Sequence, residues 1–319
     1  MQDQYRREIN YLRISITDRC NLSCFYCRAR DLKFIPHPQI LRYEEIIHLT
    51  KLFTKLGFTK VRITGGEPLV RPNVLFLVRE LKQIAGIETL AMTSNGTLLE
   101  RYAEALKEAG LDSINISLDS LRPENYRAIT GMGELGMVLR GIERAAPLFP
   151  IKLNAVISRR NLADIEGLIE YAAKLRAPLR FIELMPLSLS EEQWHKAFVS
   201  ERELISRIER RWRLKDLGRE GRSTSHDYLI EELGARIGFI SSISDRFCET
   251  CNRMRLTSDG KIRPCLGDPL EIDIKGSMRR GASDEELLGI IKRAVYNKPA
   301  GHQFGLQPVG SRPMNQIGG

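Results

Sequence analysis

The feature that most constrains the fold is a regular alternation of short, apolar, β-rich segments with helical patterns. The helical segments carry apolar stripes, such as Ile165, Leu168, Ile169 and Ala172, whose spacing places them on one face. Strands separated by such helices predict a parallel sheet in a barrel-like or doubly wound α/β fold, with functional loops at the strand ends. Six strands are predicted, over residues 11–17, 60–64, 88–93, 113–117, 151–157 and 179–183.

The alternation stops after about Met185. The sequence then becomes polar and serine-rich, and it predicts a helix over 200–211 and short strands around three late cysteines. Ser283 and Glu286 form an S-x-x-E capping box that marks a further helix. We therefore predict a barrel over residues 1–185 and a C-terminal region over residues 186–319.

Composition excludes several classes of protein. With 319 residues, 42% of them hydrophobic, the chain is long enough to bury a large core. No apolar run approaches the about 18 residues of a membrane helix, and the N-terminus lacks a signal-peptide stretch, so we expect a cytoplasmic protein without membrane contact. The formal net charge of +9 favours an anionic partner, either nucleic acid or a phosphorylated small molecule.

Two common nucleotide-binding motifs are not supported. The sequence contains no G-x4-G-K-[ST], so a bound triphosphate would depend on arginines and lysines instead of a P-loop. A formal G-x-G-x-x-G at Gly131, Gly133 and Gly136 follows a helix-like segment and not a strand. We predict that this segment is a loop, because the dinucleotide motif requires a preceding strand.

Three cysteines follow the first predicted strand in a C-x3-C-x2-C pattern, at Cys20, Cys24 and Cys27. Such clustering in a chain of this length points to metal binding and not to a disulfide framework. Three thiolates on one loop can hold three corners of a [4Fe–4S] cluster and leave one iron open. A closed zinc site is the alternative, with His37 as an unusually distant fourth ligand.

A second set has the pattern C-x2-C-x13-C, at Cys248, Cys251 and Cys265. It also supplies three thiolates, and a second cluster with an open iron would suit a substrate ligand. The alternative is a zinc ribbon completed by His226 or His302.

Two arginines directly follow Cys251 in this second set. Arg253 and Arg255 share the same strand parity, so their side chains are expected on one face. Two guanidinium groups on one face suit a phosphate.

The first cysteine loop, with the aromatic Tyr26 just before its last cysteine, resembles the radical S-adenosylmethionine superfamily. A GGEP stretch at residues 65–68 follows the next strand, and in that superfamily it contacts the methionyl part of the cofactor. Two glycines allow the backbone to approach a ligand closely, which is consistent with that role.

Further motifs narrow the resemblance to the GTP 3′,8-cyclase family of molybdenum cofactor biosynthesis, along essentially the whole chain. The tail of that family reaches into the active site and contributes to catalysis. The stretch after Met185 and the segment CLGDPLE after Cys265 depart from the family pattern, so the loops there are not predicted. The matching segments are LRISITDRCN, VRITGGEP, TSNG, ISLD, RFIELMP, CNRMRLTSDGKIRPCL and the terminal Gly318 and Gly319.

This resemblance implies a role for each candidate residue. The first cysteine set would bind the cluster that cleaves S-adenosylmethionine, and the second set would bind a [4Fe–4S] cluster that anchors GTP. Contacts to S-adenosylmethionine are implied for Tyr26, Gly66, Ser117 and Met185. Contacts to GTP are implied for Arg13, Arg62, Thr93, Lys152, Arg180, Arg253 and Arg255. Catalytic contributions are implied for Gly318, Gly319, Arg13, Arg253 and Arg255.

The resemblance also implies the architecture and the partners. We expect an α/β fold, a partial (β/α)6 TIM-like barrel with a C-terminal appendage of short strands and a helix that carries the second iron–sulfur cluster. The implied reaction is radical cyclisation of GTP to (8S)-3′,8-cyclo-7,8-dihydroguanosine 5′-triphosphate by a lyase. The implied partners are a flavodoxin- or ferredoxin-like electron donor, a downstream cyclic pyranopterin monophosphate synthase and a second copy of the chain in a homodimer.

Two other functions compete with this interpretation. A radical peptide maturase with an auxiliary cluster shares the first half of the pattern, but such proteins usually carry more C-terminal cysteines. An RNA-binding module with a zinc-like site would need aromatic and basic residues interleaved on one surface. Aromatic residues make up only 7% of the chain and form no such run, so we expect no nucleic acid partner.

Overall fold

The computed structural model describes residues 1–27, 33–304 and 312–318. Strands and helices alternate in the first half, and the six predicted strands are confirmed to within two residues at each end. The strands are β1 Tyr11–Ser15, β2 Lys60–Thr64, β3 Thr89–Ser94, β4 Ser113–Ser117, β5 Ile151–Ile157 and β6 Leu179–Glu183. The helices are α1 Tyr43–Lys55, α2 Val74–Lys82, α3 Leu99–Glu108, α4 Pro123–Thr130, α5 Leu135–Ala145 and α6 Ile165–Lys174.

The second half contains shorter elements, as expected. The predicted helix over 200–211 is present as α8 but ends earlier, and the capping box of Ser283 and Glu286 is confirmed at the start of α10. The helices are α7 Glu191–Ala197, α8 Glu201–Ile208, α9 Ile274–Arg279, α10 Asp284–Tyr296 and α11 Met314–Ile317. The strands are β7 Leu214–Gly218, β8 His226–Ile230, β9 Ala235–Ile240, β10 Arg253–Leu256, β11 Lys261–Arg263 and β12 Ile272–Asp273.

All of these strands join one twelve-stranded sheet in the order β12-β11-β10-β1-β2-β3-β4-β5-β6-β9-β8-β7. Strands β1 to β6 pair in parallel, which confirms the α/β class and the partial barrel. The C-terminal strands extend both edges of this sheet: β10 pairs with β1 and β9 pairs with β6, both in parallel. The division of the chain at residue 185 remains a prediction.

Alternation along each strand separates the core from the inside of the barrel. In β5, Leu153 and Ala155 are fully buried under the helices, whereas Lys152 and Asn154 line a central cavity. Successive side chains of a strand point to opposite faces, so one strand supplies both an apolar core and a polar site. None of the described helices is long and apolar enough to cross a membrane.

Glycines allow α5 to pack closely against the loop after β3. A Cβ atom on Gly141 of α5 would lie 2.3 Å from the carbonyl oxygen of Gly96 and 3.1 Å from the Cβ of Leu99. A backbone oxygen at the end of a strand cannot move aside as a flexible side chain does, so this position requires glycine.

We therefore expect Gly141→Ala to destabilise the protein by about 1–3 kcal/mol through overpacking. The matched control is Gly289→Ala in α10, where the added Cβ would come no nearer than 3.5 Å to the Arg293 side chain. This control should gain roughly 0.5–1 kcal/mol from helix propensity. Thermal unfolding monitored by circular dichroism measures both changes, and equal midpoints for the two variants would contradict the packing argument.

Candidate active site

A cavity of about 690 Å³ lies inside the partial barrel. Such a volume is within the about 300–1,000 Å³ that is typical of ligand sites. Both cysteine sets line this cavity, although they are more than 220 residues apart in the sequence. The inward-facing basic residues of β1, β2, β5, β6 and β10 line it as well. The structure therefore brings nearly all candidate residues into one place.

The first cysteine loop is held by its backbone against the end of α4. The amide of Ser23 donates to the carbonyl of Thr130 at 2.9 Å, and the amide of Phe25 donates to that of Ile129 at 3.0 Å. A Cβ on Gly131 would lie 2.4 Å from the Ser23 hydroxyl oxygen. Residues 131–134 of the G-x-G-x-x-G segment form a loop after a helix, as predicted, but Gly136 lies in α5, so the segment is a loop only in its first part. Its first glycine makes room for the cysteine loop.

The GGEP stretch contacts the segment that leads into Cys20. The amide of Gly66 donates to the carbonyl of Thr17 at 2.7 Å, and the amide of Glu67 donates to that of Arg19 at 2.8 Å. A Cβ on Gly66 would lie 2.3 Å from the Arg19 carbonyl oxygen. Gly66 therefore has a structural role at the start of the first cysteine loop, while its contact with a cofactor remains a prediction.

Two buried carboxyl groups connect the strand-end loops. Glu67 is fully buried, and its side chain accepts hydrogen bonds from the Ser94 hydroxyl at 3.0 Å and the Asn95 amide at 2.6 Å. Burial raises the pKa of Glu67 to about 7. Asp119 accepts a 2.6 Å hydrogen bond from the hydroxyl of Tyr26, and burial raises its pKa to about 6. Asp119 thus anchors the side chain of Tyr26, the residue directly before Cys27.

The second cysteine set lies on two segments that flank β10 and β11. The amide of Cys251 donates to the carbonyl of Cys248 at 3.2 Å, and the guanidinium of Arg253 lies 3.5 Å from the Cys251 sulfur. Burial raises the pKa of Cys251, but the positive charges of Arg253 and Lys298 outweigh it and lower this pKa to about 6. The thiolate of Cys251 is therefore favoured, as metal binding requires.

Strand register places three arginines side by side on one wall. Arg13 of β1 pairs with Arg62 of β2 on one side and with Arg255 of β10 on the other. Burial lowers the pKa of Arg13 to about 10, and the charges of Arg62 and Arg253 act in the same direction. Burial and the positive charges of Arg13 and Arg253 lower the pKa of Arg255 well below its usual value. Cations crowded in this way are stabilised when an anion binds.

The opposite wall carries the remaining candidates. Lys152 of β5 and Arg180 of β6 line the cavity, and burial lowers the pKa of each, with mutual repulsion adding to the effect for Lys152. Thr93 and Ser117 line the cavity from β3 and β4, and Met185 follows β6 at its edge.

The tail enters the site next to the arginine wall. The Arg255 guanidinium donates to the carbonyl of Gly318, and the side chain of Asn315 donates to the carbonyl of Asp18 at 2.8 Å. Gly318 has a φ of +85°, and a Cβ there would lie 2.7 Å from the Thr64 hydroxyl oxygen. Gly319 lies outside the described residues, so its predicted role is untested.

The donor sets fit iron–sulfur clusters better than zinc. All six cysteines are reduced and partly exposed to the cavity, and each set offers three thiols and no fourth protein ligand of the same kind. His226 pairs with Asp216 at 2.7 Å, and His37 lies in an exposed single turn. Of the three histidines considered, His302 alone lines the cavity. In the described part of the chain, no group of three or more His, Cys, Asp or Glu side chains could hold a single metal ion.

Several cavity residues were not predicted. Tyr11, whose hydroxyl accepts a hydrogen bond from Arg62, shares the parity of Arg13 on β1, so strand alternation could have identified it. Asp227, which pairs with Arg236 at 2.6 Å, and Lys298 come from the C-terminal region. No local pattern marks these two residues, because only the sheet pairing brings them to the cavity.

Solved structures resemble this fold at low sequence identity. Streptococcus suis SuiB bound to S-adenosylmethionine matches with a TM-score of 0.63 at 14% identity, over 83% of this chain and 63% of SuiB. Native anSMEcpe with bound AdoMet matches with a TM-score of 0.64 at 16% identity, over 92% of this chain and 82% of that one. These similarities concern the fold alone.

Comparison of sequences defines the family. The Radical SAM superfamily model matches residues 14–172, and the Molybdenum Cofactor Synthesis C model matches residues 177–304. The fold and the first cysteine loop thus define a radical S-adenosylmethionine enzyme. Proteins named GTP 3′,8-cyclase from Heliobacterium modesticaldum and Moorella thermoacetica are 44% and 46% identical, each over 100% of both chains. The chain belongs to the GTP 3′,8-cyclase family, which decides against the maturase and RNA-binding alternatives.

The contact between GGEP and the first cysteine loop can be tested with Gly66→Ala. The added Cβ would displace the carbonyl of Arg19, next to Cys20, so we expect the variant to lose the iron of the first cysteine set, about four irons per chain. Gly167→Ala on α6 is the control, since its Cβ would lie 4.0 Å from the nearest side chain. Iron and sulfide are quantified after anaerobic reconstitution, and full iron content in Gly66→Ala would refute the prediction.

Proposed function

We propose that the protein converts GTP into (8S)-3′,8-cyclo-7,8-dihydroguanosine 5′-triphosphate, the first step of molybdenum cofactor biosynthesis. The observation that carries this proposal is that both three-cysteine sets and the arginine wall line a single cavity. A radical enzyme with a triphosphate substrate needs these parts within reach of one another. Relatives that match along the whole chain are named GTP 3′,8-cyclase, and this name supports the same reaction.

The first cysteine set would hold the cluster that binds S-adenosylmethionine. When both are bound, the cluster and S-adenosylmethionine would supply a 5′-deoxyadenosyl radical. Three cysteines leave one iron of a [4Fe–4S] cluster open for an added ligand. The chain positions this cofactor with Tyr26, whose hydroxyl is held by Asp119, and with the backbone of Gly66. Ser117 and Met185 would complete the contacts from β4 and the end of β6.

The other residues would hold GTP. We assign the guanine to the second cysteine set and the triphosphate to the surrounding cations, which are Arg13, Arg62, Lys152, Arg180, Arg253 and Arg255, with Thr93 beside them. Burial, with the charges of Arg62 and Arg253 in addition, lowers the pKa of Arg13, and the negative charges of a triphosphate would offset both effects. Because a guanidinium donates two parallel hydrogen bonds, arginines also orient the phosphates.

The reaction requires that the ribose be held in one orientation. The hydrogen on C3′ leaves as an atom, with one electron. A C3′–C8 bond then forms, and the purine takes up one electron and one proton to complete the product. The walls of the cavity must exclude other hydrogen donors while this occurs. We assign part of that closure to the tail, because Gly318 is buried and its carbonyl accepts from Arg255.

Partners follow from the same proposal. A flavodoxin- or ferredoxin-like protein would deliver the electrons, and a cyclic pyranopterin monophosphate synthase would consume the product. A homodimer is part of the proposal on the strength of the family resemblance.

Isotope transfer tests the reaction directly. GTP deuterated at C3′ should pass one deuterium to 5′-deoxyadenosine in an anaerobic assay with S-adenosylmethionine and a reductant, because the C3′ hydrogen leaves as an atom. GTP deuterated at C2′ should pass none. Mass spectrometry of the quenched reaction measures both, and 5′-deoxyadenosine without label from the C3′ substrate would contradict the proposed chemistry.

Removal of one cation from the cavity tests the substrate assignment. We expect Lys152→Met to weaken GTP binding by roughly 10- to 100-fold, the loss of about 1.5–3 kcal/mol from a charge-assisted hydrogen bond. Binding of S-adenosylmethionine should be unchanged. Lys174→Met on the exposed end of α6 is the matched control. Anaerobic equilibrium dialysis measures both ligands, and equal weakening of both would overturn the assignment of Lys152.

A further inference from the structure

Lys298 is a buried lysine that the reaction outlined above does not use. It follows α10, and only 2% of its surface is exposed. Its ammonium donates to the carbonyl of Arg253 at 2.9 Å and to the carbonyl of Pro264 at 2.5 Å. Arg253 lies two residues after Cys251, and Pro264 directly precedes Cys265. One cation therefore ties together the two backbone segments that carry these cysteines.

The hydrogen-bond partners of Lys298 are neutral carbonyl groups. Among the described residues, no carboxylate forms an ion pair with this ammonium. The two carbonyl groups that it contacts adjoin Cys251 and Cys265 in the sequence, and these cysteines would act on it as negative charges when ionised. A buried ammonium without a counter-charge is strongly unfavourable, so its counter-charge must come from the cysteine site.

Arg7 provides a comparison within the same region. Its guanidinium donates to the carbonyls of Cys248 and Ala300, each at 2.8 Å, so it holds the segment of Cys248 and Cys251 in a similar way. However, Arg7 pairs with the fully buried carboxylate of Asp3 at 2.6 Å. Both residues donate hydrogen bonds to backbone carbonyls near the cysteines. Of the two, only Lys298 lacks a carboxylate partner among the described residues.

We propose that Lys298 is a positioning residue of the second iron–sulfur cluster and that its ammonium, together with the Arg253 guanidinium next to Cys251, is a buried counter-charge of that cluster. This inference rests on the proposed function, which assigns a cluster to Cys248, Cys251 and Cys265. A cluster held by three thiolates becomes more negative on reduction, so a nearby fixed cation favours the reduced form. Lys298 therefore raises the reduction potential of the second cluster, in addition to holding its two segments together.

The test compares Lys298→Gln, Lys298→Arg and the wild-type enzyme, each fully reconstituted and without GTP. Glutamine keeps N–H donors for the two carbonyls but removes the charge, whereas arginine keeps the charge. Lys292→Gln is the matched control, because it makes the same change on the exposed face of α10. Midpoint potentials are measured by electron paramagnetic resonance during a redox titration, and added S-adenosylmethionine identifies the signal of the first cluster.

We expect Lys298→Gln to reduce the equilibrium constant for reduction of the second cluster about tenfold, a shift of about 59 mV to more negative potential for one electron. The first cluster and the Lys292→Gln variant should not shift. Loss of the second cluster from Lys298→Gln, with retention in Lys298→Arg, would also support the charge role. An unshifted potential in Lys298→Gln, or loss of the second cluster from both Lys298 variants, would overturn the inference.

The same titration separates this inference from the proposed function. Only four irons per chain in the wild-type enzyme would show that there is no second cluster, and this would also overturn the proposed anchoring of GTP. A wild-type enzyme with eight irons and an unshifted Lys298→Gln variant would overturn the role of Lys298 alone.

Discussion

The parallel pairing of β10 with β1 is the constraint on which the rest of the site depends. β10 pairs with β1 over four residues, which places Arg253 opposite Tyr11 and Arg255 opposite Arg13. Because β1 also pairs with β2, the arginine wall runs across three strands in one register. The same pairing brings the second cysteine set to the N-terminal end of β1, whereas the first set follows the C-terminal end of that strand. A one-residue shift in register would turn Arg253 and Arg255 away from the cavity.

Charge is distributed unevenly between the site and its supports. Among the groups that support the site, Arg7 is neutralised locally by Asp3. The cavity instead gathers cations, and burial lowers the pKa values of Arg13, Lys152, Arg180 and Arg255. Anions such as the proposed clusters and triphosphate would stabilise such a site. The structure thus stores unfavourable electrostatic energy where ligands relieve it.

Close backbone contacts connect the strand-end loops. Gly66 contacts the carbonyl of Arg19, Gly131 makes room for Ser23, and Glu67 joins the GGEP stretch to Ser94 and Asn95. Gly66 and Gly131 thus contact the first cysteine loop from two segments, and Asn95, which Glu67 holds, donates to the Asn21 side chain at 2.8 Å. Three thiols must keep fixed separations to hold one cluster, so a loop supported from several sides is suited to that purpose.

Local patterns determined much of this protein. The six barrel strands, the capped helix at Ser283 and the two cysteine sets follow from periodicity and spacing, because strand alternation, capping and ligand spacing are properties of neighbouring residues. Motif resemblance indicated the arginines and the Gly-Gly tail. Only the tertiary structure decided that the C-terminal strands extend both edges of the sheet, that Arg7 and Lys298 support the second cysteine set, and that Gly131 supports the first. These features depend on pairing between distant segments, and the free energy of such pairing arises from packing and buried charge that no local pattern encodes.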